Sequence, residues 1–337
     1  MSDAIELPPL PDMKLSEKLR YGGEATAFFA FMGLFRVLGV DRASALGGFI
    51  GRNIFRRTGV TKRARTNLRA AYPDMSDAEM DAIILEMWDN LGRTIAEYAH
   101  HDKMTAKGPD ARIEILNLDI LEREAAKGKG IEFVSGHFAN WETMLHAARQ
   151  HGFDGGFVYR PVNNPYIDRY TVRQRMMYGP REPISKGAQG TRRIFTLLRS
   201  GQSIYILVDQ KTNEGLPVPF FGRDAMTTPA PAALSLKLGS TLLLVTNERM
   251  GGARFRMTIH EPLTVEPSGD HDRDVLALTT KLNAALEAVI RKRPSQWLWI
   301  HRRWPKEGDK PYTRRALEAQ DFGGAGVRVE REGSTLT

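Results

Sequence analysis

The 337-residue chain has no cysteine. That excludes disulfides, thiolate metal sites, thiol nucleophiles and iron–sulfur clusters together, and it fits a cytosolic face. No run reaches the 18 apolar residues of a spanning helix. The longest, Ala25 to Phe35, is interrupted by Arg36, and continuing to Val40 gives sixteen positions with one charge. Such a segment suits an interfacial or re-entrant helix. The first residues, MSDAIELPPLPDMK, are acidic and proline-rich, without the basic and apolar regions of a signal peptide. Also missing are H-E-x-x-H, G-x-S-x-G, a Walker A loop, G-x-G-x-x-G after a strand, and any internal repeat.

What is present is ordinary globular composition, 42% hydrophobic and 26% charged, which sets aside disorder and collagen. The length is enough for about two domains, or for one large α/β domain with extensions. The net charge of +8 and pI near 9.6 favour anionic partners, whether nucleic acid, anionic lipid or an acidic carrier protein. Charge alone does not choose among them.

Residues 1–13 read as a flexible tail. Residues 14–105 read as a helical, membrane-associating region that opens with two short helices bearing Phe28, Phe29, Phe31, Phe35, Phe49 and Phe55. Seven basic residues and no acid follow between Arg52 and Arg69, a block that anionic headgroups attract. Ser76 and Glu79 form a capping box for a long helix with Met80, Ile83, Ile84, Met87, Leu91, Ile95 and Tyr98 at helical spacing. From 106 to 320 strand and helix patterns alternate, which predicts an α/β domain with a mostly parallel central sheet flanked by helices, and an antiparallel pair late in the chain. Residues 321–337 read as a disordered tail.

The chemistry concentrates in residues 131–146. A buried apolar strand runs into Ser135 and Gly136, then His137, then a helix carrying Glu142. Ligands of open α/β sheets gather at the carboxyl ends of strands. A histidine with a carboxylate there is a general-base pair, the acid fixing the tautomer and favouring the imidazolium. A structural cap with a solvated glutamate fits the same spacing. His100 and His101, at a helix end, are expected to interact with the helix dipole. His146, one turn past Glu142, makes a metal pair conceivable, but no metal or other cofactor is expected.

Gly136-His137-Phe138-Ala139-Asn140-Trp141-Glu142 resembles the H-x-x-x-x-E/D signature of glycerolipid-type acyltransferases, in the form of the bacterial lipid A biosynthesis (lauroyl/myristoyl) acyltransferases. Four more blocks resemble that family in order: Val158 to Pro165 around Arg160, Leu207-Val208-Asp209-Gln210, Val218 to Gly222 with Thr227 to Ala232, and Gln296 to Trp304. The resemblance spans about residues 15–307. It implies transfer of a fatty acyl chain from an acyl carrier protein thioester to a hydroxyl of a lipid A precursor, in lipopolysaccharide biosynthesis, at the cytoplasmic face of the inner membrane and on its anionic surface. His137 would be the base, Glu142 its orienting partner, and no covalent acyl-enzyme would form. Arg160 would bind an acceptor phosphate or the developing oxyanion. Asp209 would pair with Arg160 or hold a polar group of the acceptor. Arg302 and Arg303 would bind phosphate, with Trp297, Trp299 and Trp304 alternatively packing on the sheet. Nine basic residues from Arg160 to Arg199, against Asp168 and Glu182, suit an acidic carrier protein or a phosphorylated headgroup. An alternative acceptor is another phosphoglycolipid, such as a phosphatidylinositol mannoside. A non-catalytic basic binding protein is the competing class. No nucleic-acid partner is expected, because no nucleic-acid motif occurs and the aromatics are not interleaved with the arginines.

Overall fold

The structure, a computed structural model, describes residues 7, 9–212 and 215–304. The expected C-terminal tail, residues 1–6 and 8 of the expected N-terminal one, and residues 305–320 lie outside the described residues.

Four helices come first: α1 (Leu15–Leu38), α2 (Val40–Asn53), α3 (Val60–Ala71) and α4 (Asp77–Glu97). The expected first short helix is a 24-residue one. Arg36 does not end it, because its guanidinium turns to Asp102 at 2.6 Å and donates to the Ala99 carbonyl. Ala25, Met32 and Phe35 face inward from α1, while Leu15, Leu19, Phe31, Leu34 and Val37 are exposed. Helix α2 lies against α4 backbone to backbone, since a Cβ at Gly47 would meet the Gly92 carbonyl oxygen at 2.3 Å. The capping box that starts α4 is formed, with Ser76 and Glu79 exchanging hydrogen bonds. Among the described residues, no helix is long and apolar enough to cross a membrane.

The alternating region runs β1 (Ile113–Leu116), α5 (Leu118–Ala125), β2 (Ile131–Ser135), α6 (Thr143–Gln150), β3 (Gly155–Tyr159), α7 (Pro165–Tyr178), β4 (Glu182–Ser185), α8 (Ala188–Arg199) and β5 (Ser203–Leu207). It continues with β6 (Leu216–Phe220), β7 (Arg223–Thr227), α9 (Ala230–Leu238), β8 (Thr241–Gly251), β9 (Arg254–Ile259) and α10 (His271–Lys292). Seven strands form one sheet in the order β1-β9-β8-β2-β5-β3-β4. The run from β8 to β4 is parallel, β9 is antiparallel to β8, and β1 is parallel to β9. This is the mostly parallel α/β sheet with a late antiparallel pair that the sequence predicts.

The sequence patterns do not show β4, β6 and β7, and proline accounts for the first two. Pro183 sits in β4, an edge strand that can spare the donor. Pro217 and Pro219 alternate in the β6–β7 hairpin with the inward-facing Leu216, Val218 and Phe220.

Strand β2 is central and wholly buried. Its side chains alternate between faces. Ile131 and Phe133 pack with α5 and α6 residues. Val134 joins a cluster with Leu68, Ile84 and Trp88 of the N-terminal helices, Leu282 of α10 and Trp299. The N-terminal helices and the sheet therefore share one core.

Glu132 is the anomaly on β2. It is buried, accepts a 2.6 Å hydrogen bond from the Ser240 hydroxyl, and has no partner for Oε2. Burial pushes its carboxyl up from 4.5 to about 8, against the smaller opposing effect of Ser240. The folded chain then holds one more proton than the unfolded chain between those values, so stability falls as pH rises through that window and levels off above it. Glu132→Gln cannot ionise. Its melting temperature relative to wild type should climb from pH 5 to pH 8.5, and a constant difference across that range would exclude a protonated Glu132.

Candidate active site

Strands β2, β5, β3 and β4 end at one edge of the sheet, over a cavity of about 570 Å³. Parallel register aligns these ends: Ser135 is level with Leu207, and Tyr159 with Ser185. The next positions along the chain deliver His137 after β2, Asp209 after β5, Arg160 after β3 and Lys186 after β4. His137, Arg160 and Lys186 line the cavity along with apolar side chains including Leu145, Phe157, Ile194 and Ile206.

Asp209 is buried and organises His137. One carboxylate oxygen accepts from His137 Nδ1 at 2.8 Å, and the other accepts from the His137 backbone N–H at 2.7 Å and Trp297 Nε1 at 2.8 Å. Burial alone would raise this carboxyl, but the adjacent imidazole and the three hydrogen bonds outweigh it and hold the group well below the usual carboxylate range. Gly136 makes the approach possible, since a Cβ there would lie 2.9 Å from the Phe138 ring and 3.2 Å from Asp209 Oδ2. With Nδ1 committed to Asp209, His137 turns Nε2 toward the cavity, where Gln210 Nε2 lies 3.3 Å away. Trp141 packs edge-on to the imidazole, ring centroids 4.9 Å apart.

The loop carrying His137 is pinned on both sides. Leu298 N–H donates to the His137 carbonyl and Ala139 N–H to that of Gln296. Ala139 has a φ of 47°, a conformation a non-glycine residue adopts only when its surroundings impose it. Its carbonyl accepts from Asn90 Nδ2, and Arg249 binds both Asn90 and the buried Glu97. Asn140 Nδ2 donates to the same Glu97.

Glu142 does not partner His137. It is buried and held by Arg175 of α7, Nε to Oε2 at 2.8 Å and Nη2 to Oε1 at 2.6 Å, with Trp141 Nε1 donating at 3.0 Å. The expected pairing fails because α6 starts only at Thr143, so the loop is free to aim the imidazole at the end of β5. Asp209 in turn pairs with His137 and Trp297, not with Arg160.

Arg160 is exposed on the cavity rim. Arg303 corrects its expectation: it is buried, donating to the Met226 carbonyl, Thr227 Oγ1 and Asn283 Oδ1, and it ties α10 to β7 where no phosphate reaches. Arg302 is exposed and does not line the cavity. Trp297, Trp299 and Trp304 pack with Phe220 and Phe221, and Trp297 also holds Asp209. His100 and His101 are buried, and His100 meets the C-terminal turn of α1, not the end of its own helix. His100 contacts the Phe35 carbonyl, and His101 contacts His146 at 3.1 Å. Among the described residues, no group of three or more His, Cys, Asp or Glu could hold a metal ion.

Sequence reasoning missed Arg175, Trp297 and His301. Gln210 Nε2 lies 3.1 Å from His301 Nε2, and the two histidine rings are 5.2 Å apart. Trp297 and His301 lie in the Gln296–Trp304 block, but spacing gives no sign of these contacts, which reach across 33, 88 and 91 positions of sequence. Burial, and after it the neighbouring His137, lowers His301 to about 4.

The family model for bacterial lipid A biosynthesis acyltransferases matches residues 12–306. The chain belongs to this family. Three Escherichia coli (strain K12) proteins are among its relatives. The lipid A biosynthesis palmitoleoyltransferase is 27% identical over 251 residues, covering 72% of this chain and 77% of the relative. The lauroyltransferase is 26% identical over 269 residues, 77% and 82%, and the myristoyltransferase 26% over 270 residues, 76% and 79%. As a member of the lipid A acyltransferase family, this chain is an acyltransferase.

In this acyltransferase the Arg175–Glu142 pair lines the cavity, with Glu142 buried and Arg175 partly exposed. Burial would raise Glu142, but the Arg175 charge and its hydrogen bonds outweigh that and hold Glu142 at about 2. The pair therefore adds stability above the unfolded value near 4.5, and that contribution is lost as pH falls toward 2. Arg175→Met strands a buried carboxylate and should cost about 3–5 kcal/mol in denaturant unfolding at pH 7. The double variant with Glu142→Gln should recover most of the loss, and an Arg175→Met protein as stable as wild type would refute the buried pair.

Proposed function

We propose that this acyltransferase moves a fatty acyl chain from an acyl carrier protein thioester to a hydroxyl of a lipid A precursor, with His137 as general base and Asp209 as its orienting carboxylate. The observation that carries the reading is the imidazole: Nδ1 locked on a buried aspartate, Nε2 turned toward a cavity at the end of a central strand, beside Gln210. Neutral Nε2 takes the hydroxyl proton, and Asp209 stabilises the imidazolium that forms. Among the described residues the hydrogen bonds of His137 run to Asp209 and Gln210 and none to a serine or threonine hydroxyl, which favours direct transfer over an acyl-enzyme. A thioester is already activated, so most of the task is to bring two lipids to one base. Glu142, the partner expected from spacing, is assigned to holding Arg175 and the cavity wall.

Arg160 and Lys186 leave adjacent parallel strands in register and put two positive charges on the rim, which suits a phosphate-bearing substrate. The exposed Arg169, Arg173, Arg192 and Arg199 on α7 and α8 suit an acidic carrier protein.

Catalysis is tested by incubating full-length protein with acyl carrier protein thioester and a lipid A precursor and following the acylated lipid by mass spectrometry. His137→Ala and Asp209→Asn should each lower kcat by about 10²–10⁴-fold, and near-normal turnover by His137→Ala would eliminate the assigned base. Offering a phosphatidylinositol mannoside in parallel separates the two acceptor classes.

Helix α1 supports attachment to the membrane surface. From Ala25 onward it is apolar on both sides apart from Arg36: one stripe joins the core, and the other leaves Phe29, Phe31, Leu34 and Val37 in contact with solvent, Val37 at 87% exposure. A segment apolar on both sides needs a second covering, and the exposed Arg56, Arg57 and Lys62 draw anionic lipid toward it, while Arg52, Arg65 and Arg69 are paired with aspartates. The protein should sediment with anionic phospholipid vesicles. Replacing both Phe31 and Val37 with serine should weaken that binding roughly tenfold or more. Unaltered partitioning would rule out this face.

A further inference from the structure

We propose that Gln210 is the hydrogen-bond donor that meets the oxyanion formed during acyl transfer, and that His301 is the residue that positions it. The proposal rests on the acyl-transfer reading above.

The hydrogen-bond pattern fixes which end of the Gln210 amide faces the histidines. Asp209 accepts from His137 Nδ1, so the neutral imidazole carries its proton there and presents a lone pair at Nε2. An amide oxygen opposite that lone pair would be repelled, so Gln210 presents its NH₂ group. That nitrogen has two hydrogens. One reaches His301 Nε2 at 3.1 Å and the other His137 Nε2 at 3.3 Å. His301 stays a neutral acceptor at physiological pH because of its burial.

The arrangement is poised to change when substrate arrives. To be deprotonated, the acceptor hydroxyl must donate to His137 Nε2, the atom that Gln210 now caps. The hydroxyl displaces that amide hydrogen and leaves it beside the thioester carbonyl. The hydroxyl oxygen then bonds to the carbonyl carbon, its proton passes to Nε2, and the carbonyl electron pair moves onto oxygen. The freed Gln210 N–H meets that oxyanion while the second hydrogen remains on His301. Collapse restores the carbonyl and breaks the C–S bond, and the thiolate takes the proton from Nε2. Arg160, the other candidate for this role, leaves a strand two places from β2 in the sheet, roughly 10 Å away. The oxyanion forms within a few ångströms of Nε2, which favours Gln210 and leaves Arg160 to a more distant anion.

The test measures kcat and KM for full-length Gln210→Met, His301→Phe and the double variant, with acyl carrier protein thioester and lipid A precursor. Gln210→Met should lose about 10²–10³-fold in kcat, as expected for one oxyanion donor, with KM for both substrates little changed. His301→Phe should lose about five- to tenfold in kcat, the worth of one neutral hydrogen bond. The double variant should be no slower than Gln210→Met alone, since both act through one N–H. If Gln210→Met fails to fold, Gln210→Glu keeps the shape and removes the donor. Its kcat at pH 7.5 should fall by a similar factor. Near-normal kcat in a Gln210 variant, a loss confined to KM, or multiplying losses in the double variant would overturn the proposal. A wild type with no transfer, or an active His137→Ala, would overturn the underlying reading instead. Unimpaired Gln210 variants beside an inactive His137→Ala would defeat this inference alone.

Discussion

The geometry of the site depends on one buried carboxylate. Asp209 collects three N–H donors, from the backbone and ring of His137 and from Trp297, so the cluster joins three separate parts of the chain. A carboxylate taken from water is costly unless its lone pairs are satisfied and its charge is met. Here both conditions hold only when β2, β5 and the segment after α10 are together. The site therefore assembles with the fold, not on top of it. The ring, held at Nδ1 and at its own backbone, has little rotational freedom left, and Nε2 is the atom that faces the cavity.

A second buried pair shapes the wall. Arg175 and Glu142 neutralise each other within the cavity lining, and Arg249 and Glu97 do so beneath the His137 loop. Such pairs add little net stability compared with apolar packing, but their directional hydrogen bonds fix where loops lie. The Arg249–Glu97 pair reaches Asn90 and Asn140, whose contacts hold Ala139 in its positive-φ conformation. Strain at Ala139 is thus supported by a polar network whose members lie on α4 and β8. That network ties the N-terminal helices to the loop bearing the base.

Much of this was legible in the sequence. The short run of β2, with Ile131, Phe133 and Val134 bounded by glycines and broken only by Glu132, announces a central parallel strand, and the turn at Ser135-Gly136 marks its carboxyl end. His137 was therefore locatable. Its partner was not, because a five-residue offset brings Glu142 near in sequence while the end of β5 brings Asp209 near in space. Spacing reports helical or strand neighbours, and parallel strands 72 residues apart leave no such trace. Arg303 misled for a related reason: it lies beside an exposed arginine, and only its burial among Met226, Thr227 and Asn283 separates the two. The proline-bearing strands β4 and β6 were hidden by a propensity rule that edge strands and isolated hairpins can break, and β7 opens with the charged Arg223 and Asp224.

The distribution of charge across the cavity bears on how the proposed reaction would bring two lipidic substrates to His137. The acidic groups there are all engaged: Asp209 by His137 and Trp297, Glu142 by Arg175 and Trp141. The rim toward β3 and β4 presents Arg160 and Lys186, and between rim and base the lining is mostly apolar. A molecule with an anionic head and a hydrocarbon body is favoured with its head at the rim and its chain among Leu145, Phe157, Ile194 and Ile206. Each methylene buried there contributes about 0.8 kcal/mol, so the apolar span, more than the rim charges, governs how tightly a long chain is held. In the proposed reaction the rim charges would set direction, holding an anionic head at Arg160 and Lys186, away from Nε2 of His137.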